Sequence, residues 1–231
     1  MNKTTFVVFL SLFTAPAIAS ELSDAISELE SAWSVTYYQG SEAQQQQVYP
    51  RLLKEAAELA QHYPDSADPK IWQATIIAAN AALESSLTVL SSLESAKSLL
   101  EQAIRQNPSA LDGAAYVTLG TLYYRVPGWP ISFGDNDKAE QLLKTSLSIN
   151  PNGIDANYFY ADFLLRQNRT SEAEDYLRKA VQAPIRKRQF FADSQLQNEA
   201  KQVLATTRQH RPYLGKSKFQ SLFAAASDLS D

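Results

Sequence analysis

The chain contains no cysteine in its 231 residues. That excludes a disulfide framework, a thiolate metal site, a thiol nucleophile and a lipid-modified N-terminal cysteine. Histidine is nearly as scarce: there are two, His62 and His210, far apart in sequence. They give neither zinc spacing nor a Ser-His-Asp arrangement. No catalytic residue, metal site or cofactor is therefore expected, and the chain is read as a non-enzyme. Glycine occurs seven times, and no segment alternates apolar and polar residues with the period of a strand. Beyond the first twenty residues charge interrupts every apolar stretch, whereas a bilayer-spanning helix needs about 20 apolar residues.

The first nineteen residues have the layout of a secretory signal peptide. Lys3 supplies a positive start, Phe6 to Phe13 an apolar run, and Ala17-Ile18-Ala19 a small-x-small site with the cut expected after Ala19. The expectation is a protein exported to a periplasm and soluble there. Charge is unevenly placed. Residues 20–165 carry 8 Lys/Arg and 18 Asp/Glu, whereas residues 166–218 carry 12 and 5. Such asymmetry marks either an interaction surface or intramolecular pairing. Nucleic acid is not an expected target of an exported protein.

The remaining signal is helical. Apolar residues recur at i, i+3, i+4 and i+7 over Leu52 to Tyr63, Leu93 to Gln106, Ala114 to Tyr124, Ala139 to Ile149, Tyr158 to Arg166 and Glu172 to Gln182. Breaks fall at Pro64-Asp65, Asn107-Pro108, Asn150 to Gly153, Asn168 and Ala183-Pro184. A spacing repeats: Ala96, Leu100, Ala103, Pro108; Ala139, Leu143, Ser146, Pro151; and Ala173, Leu177, Ala180, Pro184. Each set puts small, large and small residues on one face ahead of a proline stop. This resembles the second helix of a tetratricopeptide repeat, a helix-turn-helix unit of about 34 residues. Tyr116, Leu119, Gly120 and Tyr123 match first-helix positions of that repeat. Tyr160, Ala161 and Leu164 match the next unit, with Asn157 where an aromatic usually stands.

The expected fold is all-α: a right-handed, TPR-like solenoid of about four helix pairs over residues 20–211, with a capping helix near Asp193 to His210. The first pair is expected over Ser23 to Tyr38 and Ala43 to Tyr63. The helix break within Ala78 to Ser92 is not fixed by the sequence. Thr170 or Ser171 is expected to cap the helix that carries Ala173. Residues 212–231 form a tail.

One connection is oversized. Arg125 to Asp137 reads R-V-P-G-W-P-I-S-F-G-D-N-D, where a few polar residues would suffice. With Gly120 to Ala139, the run from Asn150-Pro151 to Leu164, and the Ala183-Pro184, Arg188 and Ala192-Asp193 cluster, it resembles exported proteins related to the T component of tripartite ATP-independent periplasmic (TRAP) transporters. The resemblance covers about Trp72 to Glu199. It implies a non-catalytic scaffold working beside a periplasmic solute-binding protein and holding a small apolar or organic-acid ligand. The alternative is a structural interaction scaffold in envelope assembly or secretion, with contacts through Arg186, Lys187 and Arg188. Homo-oligomerisation stays open.

In the repeat register, groove-facing positions are Val117, Thr121, Tyr124 and Arg125, then Asp155, Tyr158, Asp162, Leu165 and Arg166. Arg125 and Arg166 are equivalent, and either both guanidinium groups face the groove and take a carboxylate or each pairs with a local acid such as Asp162. Trp129 and Phe133 either fold back as a plug or form an apolar wall with Tyr124 and Tyr158. Asp135-Asn136-Asp137 lacks the distal glutamate of a calcium loop and fits a helix N-cap better.

Overall fold

The computed structural model describes residues 15–84 and 88–208, with side chains from Ser20 to Thr207. The apolar run of the expected signal peptide and the 212–231 tail lie outside the described residues, as does His210. Among the described residues there are nine α-helices and no strand: α1 (Ala15–Gln39), α2 (Glu42–His62), α3 (Asp68–Ala81), α4 (Val89–Gln106), α5 (Ala114–Arg125), α6 (Asn136–Ile149), α7 (Ile154–Arg166), α8 (Thr170–Gln182) and α9 (Phe190–Arg208). The all-helical solenoid is as expected. Its pairs are α1/α2, α3/α4, α5/α6 and α7/α8, followed by α9. The first helix reaches back to Ala15, across the expected cut after Ala19.

The repeated stripe is the stacking surface. Ala96, Leu100, Ala103, Ala139, Leu143, Ser146, Ala173, Leu177 and Ala180 are all sealed from solvent. Small residues bring each second helix close to the first helix of its pair, and the leucine fills the gap between turns. Gly120 of α5 shows how close: a Cβ there would lie 2.8 Å from Leu143 Cγ. Asn157, at the unexpected polar position, is fully buried. Its amide donates to the carbonyls of Pro151 and Gly153 at 2.9 and 2.8 Å, tying the incoming turn to the start of α7.

One local detail differs from the sequence reading. Thr170 is already helical, and Arg169 precedes α8 without a side-chain cap. Arg169 instead grips Glu172 and reaches Glu140 on α6, each at 2.8 Å. Lys144, Arg169 and the Tyr160 hydroxyl converge on Glu140 and hold its carboxyl at about 2. The break within the second pair falls between Ala81 and Val89, and residues 85–87 in it are not described.

First helices stack on one another, α1 on α3, α3 on α5 and α5 on α7, so they line the concave side. The C-terminal helix does more than cap α8. It also contacts α7 and α1, and the turn before it, Lys187–Gln189, contacts α1. The last element therefore crosses the concavity and meets the first. The expected open groove is a closed one.

Gly120→Ala should destabilise the protein by about 1–3 kcal/mol, because Leu143 must leave its position to admit the methyl group. Urea denaturation monitored by circular dichroism measures this.

Candidate functional site

Closure leaves a cavity of about 110 Å³ in the middle of the concave face, room for several waters at about 10–15 Å³ each. Every inner helix contributes to it. Glu30, Trp33 and Tyr38 come from α1, Trp72 and Thr75 from α3, Val117 and Thr118 from α5, and Asp155 and Phe159 from α7. Arg186, Gln189 and Asp193 come from the closing segment. Leu111 reaches it from a left-handed turn at Leu111, Asp112 and Gly113, which redirects the chain from α4 into α5.

Arg186 organises the seam. Its backbone N–H and its Nε donate to Asp193 Oδ2 at 2.8 and 3.1 Å, and its Nη2 donates to Asp193 Oδ1 at 2.7 Å. Asp155 on α7 lies 3.6 Å away and Asp112 4.0 Å. Arg188 hydrogen-bonds Ser23 and sits 3.8 Å from Asp24, both on α1. Basic residues late in the chain thus pair with acids from earlier helices.

Glu30 faces this seam from α1 and is 5% exposed. Burial pushes its carboxyl up to about 7; a hydrogen bond from Gln189 and the charge of Arg186 oppose the rise, while Asp193 and Asp155 add to it. The indole N–H of Trp72 and the amide oxygen of Gln189 are buried and have no hydrogen-bond partner among the described residues.

The seven residues weighed as a binding site from the sequence, Tyr124, Arg125, Trp129, Phe133, Tyr158, Asp162 and Arg166, line neither this cavity nor the vestibule beside it. Four of them gather near the C-terminal ends of α5 and α7. Arg125 donates to Asp162 at 2.5 Å, with both side chains 2% exposed. The Tyr124 hydroxyl donates to the same oxygen at 2.6 Å, and Arg166 Nε lies 3.7 Å from it. Burial alone would raise the Asp162 carboxyl; Arg125, Arg166 and the tyrosine overcome this and hold it below the usual range. The two arginines share one internal acid, so of the two alternatives the local pairing with Asp162 is the one present, a structural clasp between adjacent repeats. Tyr158, 1% exposed, packs nearby on Phe159 and meets Glu199 of α9 at 3.3 Å.

Trp129 and Phe133 part company. Phe133 lies edge-on to Tyr123 at 5.4 Å with Lys97 over its ring at 4.9 Å, so it anchors the insertion on α4 and α5. Trp129 is 90% exposed and Ile131 48%. Neither aromatic joins Tyr124 and Tyr158 in a wall. The loop is pinched where Gly134 N–H donates to Pro127 O at 2.9 Å, and Asp135 N–H donates to Tyr123 O. Asp135 then caps α6, accepting from Lys138 N–H at 3.0 Å.

Sequence reasoning named Val117 and Asp155 as groove positions, and both line the cavity. It missed Glu30, Trp33 and Gln189. One signal was available: Ile26, Leu29, Trp33 and Tyr37 form the buried face of α1, and Glu30 interrupts it. A glutamate on such a face is either paired or functional.

The tetratricopeptide repeat family model matches residues 131–183. Among solved structures, a thermophilic TPR protein of Thermus thermophilus superposes with a TM-score of 0.57 at 17% identity, covering 84% of this chain and 94% of that one. No curated protein matches the chain.

Asp162→Ala leaves Arg125 buried beside no carboxylate and should cost about 3–5 kcal/mol. Arg166→Ala should cost under about 1 kcal/mol, since that side chain is partly exposed. Chemical denaturation of both variants checks the contrast.

Glu30 titrates near 4.5 unfolded and at about 7 folded. Its contribution therefore favours the fold below 4.5 and is lost as pH rises through 7, up to about 3 kcal/mol. The melting temperature should fall between about pH 5 and about pH 8, less steeply in Glu30→Gln.

Proposed function

We propose that the chain, a TPR-like, all-helical repeat protein, is a non-catalytic, ligand-holding adaptor of the periplasm, an accessory to a TRAP-type solute transport system. Repeat solenoids use their concave face for binding. The observation that carries this reading is the closure of the concave face by α9 and the turn before it. An extended peptide needs an open trough, whereas a half-enclosed cavity lined by aromatic and aliphatic side chains with a few converging polar groups suits a small molecule. The protein contact then falls elsewhere, and the insertion offers it. Its base is anchored by Phe133 and its tip presents Trp129 to solvent. An exposed tryptophan on a braced loop is the kind of anchor that dominates protein interfaces, and a periplasmic solute-binding protein is the proposed partner.

Native mass spectrometry of the protein purified from its own periplasm tests this reading. The expected species begins at Ser20 and carries a small co-purified molecule. Trp129→Ser should keep that molecule and the melting temperature, because the side chain packs on little. It should lose capture of the solute-binding protein by at least about ten-fold, the effect of removing one hot-spot side chain. Unchanged capture would sink the role of the insertion, and a protein isolated empty would sink that of the cavity.

A further inference from the structure

The expected organic acid finds poor chemistry in the cavity. The guanidinium of Arg186 is engaged in two-point fashion by Asp193, so that ion pair brings no net charge. Asp155 lies farther from Arg186, at 3.6 Å, and accepts from the N–H of Ala156 at 3.1 Å. Glu30 is sealed against the same seam. One cation thus stands among three carboxylates, leaving a negative surplus at Glu30 and Asp155. Four aromatic side chains, Trp33, Tyr38, Trp72 and Phe159, share the remaining walls with aliphatic side chains and two threonines. The Trp33 and Trp72 rings meet edge to face at 5.6 Å. Aromatic faces and buried carboxylates together attract an organic cation, which is stabilised by ring quadrupoles as well as by charge. An organic anion would meet the same ring faces and the surplus acids, with the cavity's guanidinium already committed.

We infer that the half-enclosed cavity binds a small organic cation of the alkylammonium class, seated against Trp33, Trp72 and Phe159 with Glu30 and Asp155 as its counter-ions. This rests on the reading of the cavity as a ligand site. The volume of about 110 Å³ suits a compact headgroup. The vestibule beside it mixes Asp68 and Asp112 with Lys187 and Arg188, so the rim is close to charge-balanced and the sign of the inner cavity decides. Binding also couples to protons. Glu30 gives up its proton at about 7 in the empty protein, and a cation beside it favours the ionised form. The groups facing Glu30 are Arg186 and Gln189 of the closing turn, Asp193 of α9, Asp155 of α7, and Asp68, Asp112, Lys187 and Arg188 at the vestibule.

Three probes of one shape separate the cases: choline, its neutral carbon analogue 3,3-dimethylbutan-1-ol, and the carboxylate 3,3-dimethylbutanoate. Each is titrated into the full-length mature protein, with the indole N–H resonances of Trp33 and Trp72 as readout. Choline should bind at least about ten-fold tighter than the alcohol, and the carboxylate should bind weakest. Choline affinity should rise several-fold from about pH 6 to about pH 8, and that rise should vanish in Glu30→Gln, which replaces the carboxyl with a neutral group of its size. Asp155→Asn, checked by circular dichroism for an intact fold, should weaken choline and leave the alcohol unchanged. Tighter binding of the alcohol or the carboxylate overturns the cation assignment while the cavity stands as a ligand site. If none of the three moves the indole resonances, both the cation assignment and the ligand-site reading fail.

Discussion

Arg186 sits where the last quarter of the chain turns back across the concave face, and its bonds to Asp193 fix that turn. The nearby Asp155 belongs to α7, and Arg188 reaches Ser23 and Asp24 on α1. The cluster therefore ties three distant stretches together. With it, α9 lies against α1, the concavity has a roof, and Glu30 is drawn out of water. The unusual titration of Glu30 and the enclosure of Trp33 and Trp72 both follow from this fastening.

Sequence periodicity was sufficient for the repeat because its physical cause is local. Ala96, Leu100 and Ala103, and their counterparts in two later helices, must share a face to be buried, and helical spacing alone puts them there. Asp135 capped its helix for an equally local reason, a carboxylate within reach of the N–H three residues on. Clasp and cavity differ in kind. Arg125 and Arg166 do occupy equivalent helix ends, but one acid, Asp162, satisfies both, and the register of a repeat cannot say how many partners a side chain meets across repeats. Glu30 and Arg186 are 156 residues apart in the numbering, and only the return of α9 brings them together. That return depends on the curvature of the whole array, which no single repeat encodes.

The long insertion solves a packing problem at its base and leaves its tip outside. Phe133 buries part of its ring between α4 and α5, Gly134 comes so close to Val126 that an added Cβ would lie 1.9 Å from the carbonyl oxygen, and Asp135 starts α6. Those contacts explain the aromatic and glycine content of its second half. Nothing among the described residues explains Trp129. A large apolar side chain held in water by an otherwise well-anchored loop is costly to hydrate, and the adaptor reading gives it a reason.

A linear stack of helix pairs can begin to form from either end, and its terminal units fray independently of the middle. Contact between α1 and α9 removes that freedom, because neither terminus is then an end. The cavity becomes a property of the completed chain. While synthesis delivers residues in order, the inner faces of α1, α3, α5 and α7 lie open to water and to other molecules until the segment around Arg186 and α9 arrives. On the ligand-holding reading, loading belongs after translation, and unlatching one C-terminal helix would release the ligand without dismantling the repeats.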